Sequence, residues 1–509
     1  MERLRGKNYI EPLRQRILED KPFLGICVAL QTLFHGSEES PGVPGLALIP
    51  GIVKRFDSSL AAVPQIGWNG IISRKPSHLL PSTGNDKFYF VHSYYGESIE
   101  DNNDWLLATS YYCSEFIAAV QKGNVSAVQF HPEKSGKPGL DILHNFLSDK
   151  KEVQQIRTET PLDKNPARQD QALPAKTKHE SPGLVETDYL PGLSYKVRTT
   201  IAKRVIACLD VRTNEQGDLV VTKGDQYDVR EKGQVRNLGK PVELAKRYYE
   251  EGADEITFLN ITGFRDFPLN DQPMLEVLQK TSENVFVPLT IGGGIREFTD
   301  SEGRKYTALE VASSYFRAGA DKVSIGSDAV YAALRYIHDG GQLGKNCISE
   351  IAEVYGAQAV VISVDPRRVY VQRPEDTAHH TIKTEQSGPQ GEQYCWYQCT
   401  VKGGREGRDL DVIELVQACE KMGAGEILLN CIDRDGTSLG FDWELVCHVR
   451  QAVSIPVIAS SGAGKAEHFV TIFKKSEAEA ALAAGIFHRR EVSIEEVKST
   501  LHKAGIEVR

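Results

Sequence analysis

The sequence predicts an α/β protein with two domains, a smaller N-terminal α/β domain and a C-terminal (β/α)8 barrel. Three observations lead to this prediction. The chain has 509 residues, which is more than one hydrophobic core usually organises. From residue 204 onward, short apolar runs alternate with helical patterns, as in a parallel sheet that is buried on both faces. A polar stretch separates these runs from the first part of the chain.

The composition excludes several classes of protein. Hydrophobic residues make up 40% and charged residues 25% of the chain, and the net charge is −9, values that are ordinary for a globular protein. Because there is no basic excess and no apolar run of the roughly 18 residues that a membrane span needs, we expect no nucleic acid and no membrane partner. The first 17 residues lack the apolar core of a signal peptide and read as one amphipathic helix.

The nine cysteines are odd in number and irregularly spaced. This usage predicts reduced thiols in a cytoplasmic compartment rather than a disulfide framework. Cys395 and Cys399 form a close pair, but further ligands at a metal-binding spacing do not accompany them. We therefore expect no metal and no cofactor.

The domain boundaries follow from composition. Residues 1–150 alternate helix-like and strand-like patterns and form the predicted N-terminal domain. Residues 151–197 are polar and rich in proline, which is typical of a linker. Residues 198–509 form the predicted barrel. Its eight strand candidates are VIACLD, EITFLNI, VPLTIGG, KVSIG, AVVISVD, EILLNCI, IPVIASS and AALAAG.

The barrel sequence also repeats itself. VIACLDV (205–211) resembles VVISVDP (360–366), and VPLTIGGGI (287–295) resembles IPVIASSGA (455–463). The matching segments occur in the same order in both halves, which indicates two half-barrels. An open, doubly wound sheet remains the alternative to a closed barrel.

Two aspartates at strand ends are the candidate acid and base. Asp210 ends the first predicted strand and Asp365 the fifth, and the repeat pairs them, so they should lie opposite each other at the barrel mouth. Opposed carboxylates can act as general acid and general base. Each could instead only cap the following helix, but a symmetry-related pair favours catalysis.

Glycine-rich turns follow four of the predicted strands, and we expect the first, IGGGIR, to lie between a strand end and a helix. Backbone amides at such turns and at helix N-termini bind anions. Their occurrence in both halves predicts a ligand with a phosphate at each end. The turns are IGGGIR (291–296), SIGSDAV (324–330), ASSGAGK (459–465) and LAAGIF (482–487). The long connection after the first strand reads as an active-site loop, and its Lys223 could reach a phosphate or remain a surface lysine.

Charged residues of alternating sign precede four of the strands at the opposite end of the barrel. An ion-paired ring closing the barrel bottom and four solvated charges are both compatible with this pattern. These residues are Arg204, Glu255, Lys322 and Glu426.

The stretch FLGICVALQ (23–31) has the form of a strand-to-helix turn that presents a nucleophile, Cys27. Position 29 is alanine, where such turns often carry glycine. A Cβ there could crowd the turn or strain a special backbone angle.

The barrel resembles the cyclase of the fused imidazole glycerol phosphate synthases over about residues 200–509. The motifs are RVIACLDV, LTIGGGIR, DKVSIGSDAV, ISVDPRRVYV, LLNCIDRDGTSLGFD and PVIASSGAG. The resemblance implies that Asp210 and Asp365 are the acid and base and that the four alternating charges form an ammonia gate beside an interface residue, Asp321. It places Lys223 on a mobile loop. It implies two phosphate sites, one at Gly293, Gly294, Gly326 and Ser327, and the other at Asp435, Gly436, Ser461, Gly462, Ala484 and Gly485.

The same resemblance implies a reaction. Ammonia and a phosphoribulosyl-formimino aminoimidazole carboxamide ribotide enter, and imidazole glycerol phosphate and aminoimidazole carboxamide ribotide leave, as a step of histidine biosynthesis. The insert 376–404 is similar to that of the eukaryotic fused enzymes. Because fusion removes the need for a separate glutaminase subunit, we expect a monomer. The isomerase that makes the cyclase substrate is a related two-phosphate barrel, but Lys223 and the N-terminal domain speak against it.

The N-terminal domain resembles the class I glutamine amidotransferases. The segments are QFHPEKSG (129–136), PQIGWN (64–69) and FVHSY (90–94), and the resemblance implies a triad of Cys27, His131 and Glu133. His131 would deprotonate Cys27, and the thiolate would release ammonia from glutamine through a thioester.

Family members also carry, upstream of the position of Met1, the first strands of the sheet and a glycine-rich loop with an oxyanion-hole amide. We therefore expect a truncated glutaminase. The upstream region could also carry a plastid targeting peptide. Two alternatives follow, a cyclase that uses free ammonia only and a non-catalytic scaffold or regulator.

Overall fold

The computed structural model describes residues 1–80, 85–148, 200–214, 219–222, 230–231, 234–235, 238–261, 269, 273–300 and 302–509. The predicted linker 151–197 and Lys223 lie outside the described residues. Within these ranges, no helix is long and apolar enough to cross a membrane.

The N-terminal domain is built around three small sheets. A five-stranded sheet has the order β1-β10-β9-β8-β5, with β1 parallel to β10 and the other pairs antiparallel; β2-β3-β7 and β4-β6 form the other two. The helices are α1 (Glu2–Gly6), α2 (Ile10–Leu18), α3 (Val28–Thr32) and α4 (Gly136–Leu147). The strands are β1 (Phe23–Ile26), β2 (Phe34–Ser37), β3 (Ile49–Arg55), β4 (Gln65–Gly70), β5 (Ile72–Ser73), β6 (Lys87–His92), β7 (Tyr94–Gly96), β8 (Leu106–Tyr111), β9 (Glu115–Lys122) and β10 (Val125–Val128).

The single amphipathic helix predicted for the first 17 residues is wrong. The chain forms two helices, α1 and α2, separated by a turn. Asn8 lies in this turn with φ of 57°, a left-handed conformation that ends a right-handed helix.

The C-terminal domain is a closed barrel of eight parallel strands, as predicted. Its order is β11-β15-β16-β19-β20-β25-β26-β27, and β27 pairs with β11 to close the ring, which excludes the open doubly wound sheet. The strands are β11 (Arg204–Thr213), β15 (Glu255–Asn260), β16 (Leu289–Gly292), β19 (Lys322–Ile325), β20 (Val360–Val364), β25 (Glu426–Asn430), β26 (Val457–Ser460) and β27 (Ala480–Ala483).

Helices surround this barrel. Each strand is buried on both faces because its outward side chains pack under the helices while its inward side chains fill the barrel. The helices are α5 (Pro241–Glu250), α6 (Pro273–Ser282), α7 (Ala308–Arg317), α8 (Ser327–His338), α9 (Cys347–Tyr355), α10 (Val412–Met422), α11 (Trp443–Ala452), α12 (Ala466–Ser476), α13 (Gly485–His488) and α14 (Ile494–Lys503).

Shorter strands lie in the connections at the barrel mouth. The segment 366–411, which contains the predicted insert, folds into a four-stranded antiparallel sheet in which β23 pairs with β21, β22 and β24. The remaining short strands pair as β11–β12, β13–β14 and β17–β18. Their bounds are β12 (Leu219–Thr222), β13 (Arg230–Glu231), β14 (Gln234–Val235), β17 (Phe298–Thr299), β18 (Lys305–Tyr306), β21 (Pro366–Val371), β22 (Thr381–Lys383), β23 (Tyr394–Val401) and β24 (Glu406–Asp411).

The N-terminal domain packs against the end of the barrel where the strands begin. The indole Nε1 of Trp68 donates a hydrogen bond to the carbonyl of Asp254 (3.1 Å), the residue before β15. The backbone N–H of Val63 donates to the carbonyl of Ser454, close to β26 (2.9 Å). The two domains therefore meet at the amino ends of the strands, opposite the barrel mouth.

Candidate functional site

A cavity of about 700 Å³ opens at the carboxyl ends of the barrel strands. Both predicted catalytic aspartates and all ten described residues of the two predicted phosphate sites line it. They are Asp210, Asp365, Gly293, Gly294, Gly326, Ser327, Asp435, Gly436, Ser461, Gly462, Ala484 and Gly485. Residues from both half-barrels thus enclose one space that can hold a single elongated ligand.

Asp210, in β11, and Asp365, directly after β20, lie on opposite sides of the ring. β11 and β20 are four places apart in the eight-stranded order. The prediction that Asp210 ends its strand is wrong, because β11 continues to Thr213 and pairs there with β12. This extension holds Asp210 in regular strand geometry at the cavity wall, and the strand β12, not a helix, pairs with it there.

Asp365 directly follows β20, and its carboxylate accepts a hydrogen bond from the side-chain amide of Asn430 (Oδ1 to Nδ2, 3.0 Å). Burial raises the pKa of Asp365; the bond from Asn430 opposes that rise, and the nearby carboxylate of Asp435 adds to it. A carboxyl group with a raised pKa can hold a proton closer to neutral pH, as a general acid must.

The first predicted phosphate site combines a strand-end turn with a helix N-terminus. At Gly293, φ is 89° and an added Cβ would lie 2.2 Å from the carbonyl oxygen of Asn260, so only glycine fits. The helix α8 begins at Ser327, whose Oγ accepts a hydrogen bond from the backbone N–H of Lys402 in the insert (2.9 Å).

One expectation for this site is wrong. The turn after β16 leads into the β17–β18 hairpin, and α7 begins only at Ala308. The amides of IGGGIR therefore belong to a turn and not to a helix N-terminus.

The second predicted phosphate site repeats this arrangement across the barrel. Ser461 and Gly462 have φ of 72° and 91°, and a Cβ at Gly462 would lie 2.3 Å from the carbonyl oxygen of Gly440. The helix α12 begins at Ala466, and Ala484 and Gly485 open the short α13. Residues of these turns line the same cavity as those of the first site, and turns of this kind can bind anions through their backbone amides.

The four alternating charges meet at the opposite end of the barrel, each as the first residue of its strand. The amino group of Lys322 contacts Glu255 at 2.6 Å and Glu426 at 2.7 Å. The guanidinium of Arg204 contacts Glu255 at 3.0 Å and also pairs with Glu426. Each cation thus touches both carboxylates, and the hydroxyl of Thr290 donates a further hydrogen bond to Glu255 (2.6 Å).

This ring is buried, since each of its four side chains is at most 2% exposed. Burial alone would lower the pKa of Arg204, but the carboxylates of Glu426 and Glu255 raise it. Burial alone would raise the pKa of Glu426, but Arg204 and Lys322 lower it. The contacts therefore favour the charged forms of Arg204 and Glu426, and the alternative of four solvated charges is wrong.

Cys27 lies at the turn between β1 and α3 with φ of 51° and ψ of −107°. This backbone conformation is unfavourable for a residue with a side chain and is typical of strained functional positions. The side-chain amide of Gln129 donates a hydrogen bond to its Sγ (3.5 Å), and the carbonyl oxygen of the same amide accepts one from Gln31 (3.1 Å).

His131 lies between Cys27 and Glu133. Its Nδ1 is 2.7 Å from Oε1 of Glu133. Burial alone would lower the pKa of His131, but its hydrogen bonds to Cys27 and Glu133 raise the pKa to about 10. These contacts therefore favour the protonated imidazole at neutral pH, the form that can stabilise a neighbouring thiolate.

The expected strain at position 29 is wrong. Ala29 lies inside α3, and the special backbone angle belongs to Cys27. The close approach at this turn involves Gly25, where an added Cβ would lie 3.3 Å from the Cβ of Ala29 and 3.0 Å from that of Ala127. Glycine at position 25 therefore provides the space that Ala29 needs.

Comparisons with known proteins match both domains. Residues 204–493 match the family described as "Histidine biosynthesis protein", and residues 4–150 match "Glutamine amidotransferase class-I". "Imidazole glycerol phosphate synthase hisHF, chloroplastic" of Arabidopsis thaliana is 55% identical over 100% of this chain and 81% of that protein. The chain belongs to the imidazole glycerol phosphate synthase family.

Further relatives follow the domain division. "Imidazole glycerol phosphate synthase hisHF" of Schizosaccharomyces pombe is 53% identical over 98% of this chain and 88% of that protein. The HisF subunit of Methanosphaera stadtmanae is 41% identical over 61% of this chain and 99% of its own length. The protein is thus a fused, bifunctional imidazole glycerol phosphate synthase with a glutamine amidotransferase domain and a cyclase domain.

The predicted interface residue lies between the two domains of this synthase. A carboxylate oxygen of Asp321, directly before Lys322, contacts the amino group of Lys134 (2.8 Å) and accepts a hydrogen bond from the backbone N–H of Leu289 (2.8 Å). Burial raises the pKa of Asp321, and Lys134 opposes that rise.

Sequence reasoning missed three side chains of the synthase that contact the predicted site residues. They are Asn430 at Asp365, Gln129 at Cys27, and Thr290 at Glu255. Gln129 could have been found, because it lies two residues before His131 on the same run and so shares its side of the chain. Asn430 and Thr290 carry no such signal, since only the closed barrel brings them to their partners.

Proposed function

We propose that this synthase hydrolyses glutamine at Cys27 and uses the ammonia to convert the phosphoribulosyl-formimino ribotide into imidazole glycerol phosphate and aminoimidazole carboxamide ribotide. One observation carries the proposal. A single cavity holds two opposed aspartates between two sets of glycine-rich turns, in the same chain as a cysteine beside a charged histidine. A substrate with a phosphate at each end fits such a cavity.

In the N-terminal domain, the thiolate of Cys27 attacks the side-chain amide carbon of glutamine. His131 holds the proton that the departing ammonia takes up, and Glu133 orients the imidazole through its 2.7 Å contact. The amide of Gln129 donates to the sulfur and fixes its direction of attack. Water then hydrolyses the thioester to glutamate.

In the barrel, the two phosphate sites hold the substrate across the mouth, so that its reacting centre lies between Asp210 and Asp365. The raised pKa of Asp365 suits the general acid, which leaves Asp210 as the general base. Asn430 holds the Asp365 carboxylate in place. Lys223 belongs to the same proposal as a loop residue near the substrate.

The ammonia passes from one site to the other through the buried ring of Arg204, Glu255, Lys322 and Glu426. The ring lies at the barrel end that faces the glutaminase domain, and Asp321 connects it to Lys134. Because the route stays inside one chain, we propose that the synthase acts as a monomer. The nine free thiols support a reducing, cytoplasm-like compartment.

The experiment compares turnover of the nucleotide with glutamine and with ammonium salt, in the wild type and in Cys27→Ser. We expect the wild type to use both nitrogen sources and the variant to use only ammonium. Cys113→Ser, at the other partly exposed cysteine of this domain, is the control and should behave as the wild type.

Two other outcomes would each favour one of the alternative functions. Wild-type activity with ammonium alone would favour the ammonia-only cyclase, and inactivity of the folded protein with both sources would favour the scaffold. Within the described residues, no feature favours either alternative over the bifunctional enzyme.

A further inference from the structure

A cluster of metal-ligating side chains lies outside both sites, where the inserted sheet meets α10. Nδ1 of His379 is 3.7 Å from Oδ2 of Asp411 and 3.6 Å from Oε2 of Glu414. His379 precedes β22, Asp411 ends β24, and Glu414 lies in the first turn of α10. The three ligand atoms lie within 4.8 Å of one another.

These separations do not describe hydrogen bonds. A nitrogen and an oxygen in a hydrogen bond are about 2.7 to 3.2 Å apart, and the described residues place no such partner at Nδ1 of His379. With metal–ligand bonds of about 2.0 to 2.2 Å, a tetrahedral site separates neighbouring ligand atoms by about 3.4 Å. The observed gaps are close to the spacing that a bound ion would bridge.

The surroundings hold His379 in one orientation. Its ring stacks on Trp396 with 3.8 Å between the ring centroids, and its other nitrogen, Nε2, is 3.0 Å from a carboxylate oxygen of Asp409. Metal-binding histidines usually donate their second N–H to such a carboxylate, which fixes the ring and its tautomer. His379 therefore has both the free nitrogen and the outer partner of a metal ligand.

A second histidine lies beside the cluster. Nδ1 of His380 is 2.8 Å from Oδ2 of Asp411, and the first turn of α10 donates two backbone hydrogen bonds to Oδ1, so the Asp411 carboxylate is held in place. Nε2 of His448, on α11, is buried and has no hydrogen-bond partner in the described part of the chain. Burial lowers the pKa of His448 and the Asp411 carboxylate opposes that fall, so an imidazole nitrogen without a described partner lies near the cluster.

We propose that His379, Asp411 and Glu414 form a Zn²⁺ site that joins the inserted sheet to α10. Imidazole nitrogens and carboxylate oxygens are ligands that Zn²⁺ accepts in tetrahedral sites. Because the three ligands come from both elements, a bound ion would hold the sheet and the helix together, which is a structural role. It is separate from the proposed catalysis and stands whether or not that proposal holds.

The test uses the full chain. After dialysis against a chelator, Zn²⁺ is added back and its stoichiometry and Kd are measured by elemental analysis and competition with a fluorescent chelator. We expect one tight equivalent in the wild type. In His379→Gln, the Kd should rise at least about 100-fold, because even the outer partners of metal ligands change affinity by about 10- to 100-fold. His338→Gln, at an exposed histidine that also contacts an aspartate, is the matched control.

A second measurement does not depend on the variant. Co²⁺ bound to the wild type should give the intense visible absorption of a tetrahedral site, and Zn²⁺ should displace it while raising the melting temperature. Equal Zn²⁺ binding by wild type and His379→Gln would place the ion elsewhere, for example on the free thiols, and would overturn the proposal. Absence of tight binding in the wild type would leave the cluster as a set of ion pairs.

Discussion

Replacing His131 by asparagine tests the charged pair at the glutaminase site. The asparagine side chain keeps roughly the size of the imidazole but cannot take the proton of Cys27. In the wild type, the pKa of His131 is raised to about 10. The positive charge of His131 is therefore fully present below the ordinary histidine pKa of about 6.5. It persists at neutral pH and is lost as pH rises through about 10.

The magnitude follows from the fraction of thiolate. An ordinary cysteine thiol, with a pKa of about 8.5, is about 3% ionised at pH 7 and about 97% ionised at pH 10. The rate of alkylation in His131→Asn should therefore rise about 30-fold between these pH values. In the wild type, we expect a change of less than about twofold between pH 7 and pH 9.

The assay is alkylation by iodoacetamide, followed by mass spectrometry of the peptide that contains Cys27, since the chain has nine cysteines. The shape of the pH profile is the readout, because a thiolate of low pKa is also a weaker nucleophile and absolute rates are ambiguous. The peptide with Cys447, whose pKa burial raises, serves as an internal control. A wild-type profile at Cys27 with a midpoint near pH 8.5 would refute the charged pair.

Three further predictions concern single side chains. Asp365→Asn should lower the rate of cyclisation at least about 100-fold and change nucleotide affinity little. Product chromatography measures the rate and calorimetry the affinity, with Asp339→Asn, at an exposed aspartate, as the control. Gly462→Ala should raise the nucleotide KM about 10-fold, because its Cβ meets a carbonyl at 2.3 Å. Gly340→Ala, also at a positive φ but with no atom within 4 Å of the added Cβ, should leave the KM unchanged. Gln129→Leu should lower glutamine turnover about 10- to 100-fold and leave ammonium-dependent synthesis intact. Equal losses of activity with both nitrogen sources would contradict a role for the contact between Gln129 and Cys27.

The barrel was predictable because of how its strands are buried. Burial on both faces requires nearly continuous apolar runs, and all eight runs proved to be strands. The elements that the sequence did not predict lack such a pattern. The hairpin β17–β18 consists of two-residue strands, and the extension of β11 to Thr213 depends on pairing with β12.

The candidate sites divide in the same way. The strand-end aspartates and glycines could be placed from sequence, because a parallel barrel brings every carboxyl end to one mouth. Asn430 reaches Asp365 from a neighbouring strand that lies 65 residues further along the chain. Asp411 lies 32 residues beyond His379, too far apart for a spacing rule, and only the antiparallel pairing of β22 and β24 with β23 brings them together.

For the proposed passage of ammonia through the buried ring, the geometry indicates which charge has to move. Lys322 uses one atom, Nζ, for both of its contacts, so one rotation of its side chain breaks both at once. Glu255 and Glu426 then still hold Arg204, and neither carboxylate is left buried without a partner, which would cost several kcal/mol. Arg204 contacts the two carboxylates through two separate nitrogens, so its contacts are harder to break. Asp321 adjoins Lys322 and pairs with Lys134, three residues after His131. The lysine whose contacts break most easily is therefore also the one whose chain neighbour contacts the glutaminase domain.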